Sequence, residues 1–428
     1  MSETVVSTTV SDVAVTRGPF GPSARFPGAW VLAAAFTLLT FSSGVGFYGL
    51  SVYLQAFSRE LGWSVASISS ATTVFFLVGG ISAVTVAKFV AKYDVRLVVL
   101  VGAVLGSGSL FCMQFVTQRW HLFAVYTVYA LGWVASGVGP VTTVVTRWFN
   151  AKRTSALAIA STGLSMGGIV VTPIIKSILD TQGIERGSPW LAVIWFVGIV
   201  PVTVLFLRPY PHLLGWTPDG GRMQVGSTPQ VTGTSLAVAV RTKFFWMIAV
   251  GYIFAFSAQV GAVQQLVKMV EERTDRTTAT FGTVVLSVFS ILARFAASRA
   301  LTRLDMVKFT VLIALTQGLS LAFIGVMNSS FGLLVGIAFF GMTIGNMLMM
   351  QSLLLAQRFG VRDYPQITAR QGLISFTGTA AGPILLGTLH DFAGGYRSSY
   401  LAAGACSLVG AVLFWLAGSA SAPAGEHQ

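Results

Sequence analysis

The chain has 428 residues, of which 54% are hydrophobic and only 10% charged, and its mean hydropathy is +0.76. Soluble domains carry roughly 25% charged residues, so a chain of this length cannot cover a soluble core with so few. A soluble protein is excluded, and an integral membrane protein is expected. The formal charge of +13 would suit nucleic acid, so its distribution has to be read before it is interpreted.

The first thirty residues are rich in Ser, Thr and Val and lack a signal-peptide n-region and cleavage site. They read as a disordered tail, residues 1–29. Apolar runs of roughly 18 residues or more then predict twelve spans. Their approximate limits are 30–54, 64–87, 97–117, 122–146, 154–179, 189–207, 244–267, 278–298, 309–327, 332–356, 367–389 and 398–418. With both termini on one side, 18 of the 27 Lys and Arg residues fall on that side and seven on the other; Lys176 and Arg294 remain. The positive-inside rule predicts cytoplasmic termini in a cell-membrane protein. The basic excess is a topology signal, and no nucleic-acid partner is expected.

Between spans six and seven, residues 208–243 hold "RPYPHLLGWTPDGGRMQVGSTPQVTGTS", a Pro/Gly/Ser/Thr-rich linker. It divides the chain into bundles at 30–207 and 244–418, with a short tail at 419–428. Matches recur between the halves at a nearly constant offset. "KYD" at Lys92–Asp94 faces "RLD" at Arg303–Asp305, 211 residues on, and "RWFNAKR" at 147–153 faces "QRFGVRD" at 357–363, 210 on. Gly168 and Pro173 match Gly378 and Pro383, also at 210. The predicted fold is an all-α polytopic membrane protein, twelve transmembrane helices in two pseudo-symmetric six-helix bundles. Such parallel repeats are one architecture of secondary transporters, with substrate held near the midplane.

Cys112 and Cys406 lie in apolar spans, and the four histidines are scattered, so neither a disulfide framework nor a metal site is expected. No phosphate-binding loop, HExxH or GxSxG motif occurs, so ATP-driven pumping and enzyme chemistry are not expected, and no cofactor is implied.

Over nearly its whole length the chain resembles the major facilitator superfamily. The family's loop after the second span is represented by "AKFVAKYDVR", Ala87 to Arg96, and by "SRALTRLDMV", Ser298 to Val307. Both copies lack the family's aspartate, at Ala91 and Thr302, and place Asp94 and Asp305 at a glycine position. "WFNAKRTSALAIASTG", Trp148 to Gly163, is similar to the fifth helix of the monocarboxylate and oxalate–formate branch. Its aromatic pair and basic pair are followed by small residues that let helices approach closely. The resemblance implies transport of small organic anions by alternating access, as an antiporter or symporter.

Arg294 lies in "VFSILARFAAS", where its surroundings resemble the family's eighth helix. There an arginine pairs with a substrate carboxylate. A mid-span arginine costs about 2.5–3.5 kcal/mol on insertion scales, so it usually faces a cavity and a partner. The competing reading is snorkelling to the surface five residues away. The branch's aspartate one turn earlier is Ser290 here, and the oxalate exchanger's eleventh-helix lysine is missing. One cation favours one carboxylate per substrate.

Tyr48, Gln259, Gln264, Asn346 and Gln351 are further candidates to bind substrate, or simply to join helices. Lys92, Asp94, Arg96, Lys152, Arg153, Arg303 and Asp305 are expected at the cytoplasmic face, setting topology or gating. Lys176, near the outer end of span five, is expected to snorkel. The expected partners are a small organic anion, a proton as potential co-substrate and the lipid bilayer; a monomer is expected. The alternative is an efflux transporter of lipophilic compounds, suggested by the many Phe, Met and Gly residues.

Overall fold

The computed structural model describes residues 26–220, 233–300, 304–360 and 363–420. Among them, eleven helices are long and apolar enough to cross a membrane. One, Ser155–Leu205, has 51 residues. At 1.5 Å per residue it would be about 77 Å long, more than twice a hydrocarbon core. Its backbone leaves helical geometry at Gly183, where φ is 71° and ψ −177°, a conformation that glycine adopts without a Cβ penalty. The chain turns back there, and twelve spans result.

We number them α1 (Gly28–Leu61), α2 (Val65–Lys92), α3 (Val95–Phe115), α4 (Arg119–Trp148), α5 (155–182) and α6 (184–205). The second half contains α7 (Lys243–Arg273), α8 (Arg276–Ala300), α9 (Met306–Val326), α10 (Ser330–Phe359), α11 (Tyr364–Ala393) and α12 (Tyr396–Ala417). The end of the molecule at which α1 begins and α12 ends is called the terminal face, and the other the far face.

Side-chain oxygens cap several helices, satisfying first-turn N–H groups that have no partner within the helix. Asp94 accepts from the Arg96 amide at the start of α3, and Asp305 from the Val307 and Lys308 amides at the start of α9. The recurring aspartate of "KYD" and "RLD" is therefore a helix cap in both halves.

The glycines provide a second repeat. A Cβ on Gly167 of α5 would lie 2.5 Å from the Gly44 amide nitrogen of α1, and one on Gly382 of α11 would lie 2.7 Å from that of Gly261 in α7. Each half thus holds such a pair, α5 on α1 and α11 on α7, in backbone contact. In the first half both partners widen there into π-helical turns, Ser42–Tyr48 and Gly167–Val171. Such turns often mark functional sites.

Among the described residues, hydrogen bonds between the halves lie at mid-depth or toward the far face. Gln264 Nε2 donates to the Phe47 carbonyl at 3.1 Å, the Val267 amide to Ser51 Oγ at 3.1 Å, and the Ala66 amide to Asp391 at 2.9 Å. Among the described residues, the cross-half bond nearest the terminal face is that of Arg294 with Ser161. The hydrogen bonds that tie the described residues of the two halves together thus lie from mid-depth to the far side.

The ends of the linker are structured. Asp219 accepts from the amides of Asn150, Ala151 and Lys152 at 3.0, 2.6 and 3.2 Å. At the other end the Thr234 amide donates to the Phe359 carbonyl at 2.8 Å, and the Leu236 amide to Asp363 at 2.9 Å. Each end grips the loop of its own half, and these are the two loops matched by the 210-residue offset.

Candidate functional site

The site is built where α1, α5, α8 and α10 meet at mid-depth. The π turn of α1 ends at Tyr48, which packs beside Gly168 in the π turn of α5. Gly168 also faces Ser287 of α8 so closely that a Cβ there would collide with the serine hydroxyl. One turn further along α8, Ser290 is hydrogen-bonded to Ser165 of α5 at 3.4 Å. One more turn brings Arg294.

Helical side chains lean toward the helix N-terminus, and α8 begins at the far face. Arg294 therefore leans into the membrane rather than toward the terminal surface, which argues against snorkelling. Its Nη1 donates to the Ser161 carbonyl of α5 at 3.0 Å. Its guanidinium lies across Gly345, near the midpoint of α10, so that a Cβ on that glycine would collide with Nε. Tyr48 lies within electrostatic range. Among the described residues no carboxylate pairs with Arg294. Arginine has five N–H donors in a planar fork, and the Ser161 carbonyl occupies one.

The amide candidates divide. Gln259 Nε2 donates to the Ile344 carbonyl at 3.3 Å, and Asn346 Nδ2 to the Met342 carbonyl at 3.0 Å; both engage the α10 segment around Gly345. Their buried carbonyl oxygens have no partner. Gln264 instead ties α7 to α1 through Phe47. Gln351 donates to Gln371 at 2.8 Å and Ser375 at 2.7 Å, joining α10 to α11. It lies six residues from Gly345, about 9 Å along the helix.

Among the described residues, those expected to gate the terminal side form no hydrogen bond or ion pair across the halves. Asp94 pairs with Arg96 of its own loop at 2.7 Å. Burial pushes its carboxyl up, but the Arg96 hydrogen bonds and charge outweigh that and hold it below the usual range. Lys92 lies over the Tyr93 ring at 5.3 Å. Lys152 meets Asp219 through its amide, Arg153 bonds Asn150 at 3.4 Å, and Asp305 caps α9. Arg303 lies outside the described residues.

Lys176 departs from the sequence reading. It is 2% exposed and does not snorkel; its Nζ bonds Asp180 at 2.7 Å and Glu271, on α7 of the other half, at 2.8 Å. Glu271 escaped notice because α7 runs on to Arg273, beyond its apolar run. Ser161, Ser165, Ser287 and Gly345 were likewise missed as site residues, since small residues in a membrane helix read as packing.

Residues 36–359 match the family model described as the Major Facilitator Superfamily. The chain belongs to that superfamily. Among similar proteins, this facilitator is 24% identical to monocarboxylate transporter 11 of Homo sapiens, a match covering 94% of this chain and 85% of that one. It is 25% identical to monocarboxylate transporter 13 of Rattus norvegicus over 90% of this chain and 88% of that one. The oxalate:formate antiporter of Oxalobacter formigenes is 25% identical over 54% of this chain and 52% of its own, so that match spans about half of the relative. A solved POT family transporter in complex with 5-aminolevulinic acid shares the fold with a TM-score of 0.72 at 15% identity, covering 90% of this chain and 95% of that one. A bacterial homologue of the lysosomal transporter Spinster, solved in an inward-facing, unoccupied conformation, gives 0.67 at 16% identity, covering 92% and 98%. The protein is a multi-span membrane transporter, not an enzyme, and its relatives include the branch that its fifth helix resembles.

Proposed function

We propose that the protein carries small organic anions with one carboxylate by alternating access, and that Arg294 receives the carboxylate. One observation carries this reading: a mid-depth guanidinium between the halves, held by one backbone carbonyl and paired with no acid among the described residues. An unpaired buried charge is costly, and a carboxylate relieves the cost while matching the fork bidentately. Tyr48 and Ser287 stand at the far-side end of this site, where they would hydrogen-bond the rest of a small substrate. The names of the curated relatives support the same substrate class.

The ties between the halves, which lie from mid-depth to the far side, together with the positive-inside orientation, support reading this conformation as open to the cytoplasm of a cell-membrane protein. Reorientation with Arg294 empty leaves the charge unpaired, so exchange of anions is favoured over net movement.

The test is a binding screen on purified protein that pairs organic acids with neutral analogues such as their amides. Binding of acids alone, lost in Arg294→Gln, supports the reading. Binding of neutral lipophilic compounds that is indifferent to Arg294→Gln overturns it in favour of lipophile efflux.

A further inference from the structure

Helix α4 is not continuous through the membrane. Its first part ends at Ser136, and its second part, Val138–Trp148, runs on to the terminal face. Pro140 accounts for the break, because proline lacks an N–H and its ring inside a continuous helix would meet the Ser136 carbonyl. Gly137 forms the joint, with φ −96° and ψ −148°. A side chain has no room there, since a Cβ would lie 2.7 Å from the Trp133 carbonyl.

The second part of α4 therefore begins at mid-depth with a helix N-terminus, the positive end of its dipole. The Val138 and Gly139 amides of its first turn have no acceptor within the helix, and Pro140 has no N–H to offer. The next amide, that of Val141, already bonds the Gly137 carbonyl. Val138 and Gly139 are exposed, and a Cβ on Gly139 would meet nothing within 4 Å. Before the break the exposed side chains include Val128 and Leu131, which suit lipid; after it Thr142, Thr143 and Thr146 are partly exposed.

Facing the joint stands Ser42, the first residue of the π turn of α1. It is 2% exposed, and its Oγ lies 3.5 Å from where a Gly137 Cβ would be. Among the described residues no group pairs with that hydroxyl. Trp133, one turn before the break, fixes this part of α1 by donating from Nε1 to the Ser42 carbonyl at 3.1 Å.

We propose that the Val138 and Gly139 amides and the Ser42 hydroxyl form a second subsite, which takes an uncharged hydrogen-bond acceptor at the other end of the transported acid. This rests on the reading of Arg294 as the carboxylate site. Gly137 and Arg294 each lie 18 residues beyond the start of a helix that begins at the far face, at Arg119 and Arg276. Both therefore stand about 27 Å along their helices. The break belongs to the first half and Arg294 to the second, so an acid held at both ends bridges the halves at one depth. All three groups of the subsite donate, and a helix N-terminus favours negative charge, partial or full. One guanidinium balances one carboxylate, so the second group is a carbonyl oxygen rather than a second anion. The subsite selects oxo acids over plain alkyl acids of the same length.

The test is calorimetric binding to purified full-length protein. 4-Oxopentanoate, 5-oxohexanoate and 6-oxoheptanoate are paired with pentanoate, hexanoate and heptanoate. At one length or more the oxo acid should bind roughly tenfold more tightly than its alkyl partner, the range for one hydrogen bond. Val138→Pro deletes one donor where proline suits both a helix start and the extended residue before it. Ser42→Ala deletes the hydroxyl. Each change should reduce the preference, and the double variant should bind both members of a pair alike, with alkyl-acid affinity as in the parent. Ser43→Ala is the comparison, because that hydroxyl is spent on the Leu164 carbonyl at 2.6 Å; it should keep the parental preference. Equal binding of every pair by the parent, or a preference that survives both single changes and the double one, would overturn the subsite and leave the Arg294 reading standing. Failure of every acid to bind the parent would overturn both.

Discussion

The guanidinium of Arg294 rests directly on the backbone of Gly345, so the orientation of a charge on α8 is set by the missing side chain of a residue on α10. This contact makes a separable prediction. Gly345→Ala should push Arg294 off its shelf and weaken anion binding by roughly ten- to hundredfold, the range for one hydrogen bond to a charged group. Gly108→Ala on α3, where a Cβ meets nothing within 4 Å, should leave binding unchanged. Both changes gain helix propensity. Equal binding in the two variants would show that the shelf does not orient the arginine.

Arg294→Lys should recover little of what Arg294→Gln loses. An ammonium keeps the charge but not the planar fork that meets two carboxylate oxygens. Transport by Arg294→Lys in proteoliposomes is expected at roughly a tenth of parental rate or less, from the loss of bidentate geometry. Near-parental transport would mean that charge alone suffices.

Ser290 stands one turn before Arg294 and carries only a hydroxyl bond to Ser165. Ser290→Asp would place an acid four residues N-terminal to the arginine, the favourable order for an ion pair on a helix. Ionised, that aspartate competes with substrate for Arg294. Anion binding by Ser290→Asp should therefore be weak at pH 7.5 and recover as pH falls and the aspartate is protonated. Parental affinity at pH 7.5 would place Arg294 beyond its reach.

Asp94 and Asp305 are caps, so neutralising either should matter less to transport than losing Arg294. Asp→Ala at such a position costs about 1 kcal/mol of helix stability, and Asn caps nearly as well as Asp. Asp94→Asn and Asp305→Asn should transport at near-parental rates in vesicles where Arg294→Gln is inactive. Abolished transport in either Asn variant would assign that aspartate a role in the cycle.

Asp219 gives a prediction in pH. Burial pushes its carboxyl up, but three loop amides that donate to it and the Lys152 charge together outweigh that push and hold it below the ordinary value of 3.8. A group with a lowered folded pKa stabilises the fold above its unfolded pKa, and the contribution disappears as pH falls through the folded one. Asp219→Ala should lower the melting temperature at pH 7, with the difference from the parent shrinking below about pH 4. A difference constant down to pH 3 would contradict an ionised cap.

The sequence by itself determined the solvent, the number of spans and the repeat. Apolar run length and charge sorting are local quantities, and a bilayer acts on each run separately, so twelve spans could be counted without knowing how they pack. The oddity of Arg294 was legible for the same reason, since a charge in an apolar run is costly wherever the run sits. What the arginine touches was not legible. Ser161 and Gly345 lie 133 residues before it and 51 after it, and small residues carry the same signal whether they serve packing or a ligand. Lys176 was misread because its fate depends on Glu271, which lies on another helix beyond the apolar run. A buried charge is stable only with its counter-charge, and which helix brings that charge is decided by tertiary packing alone.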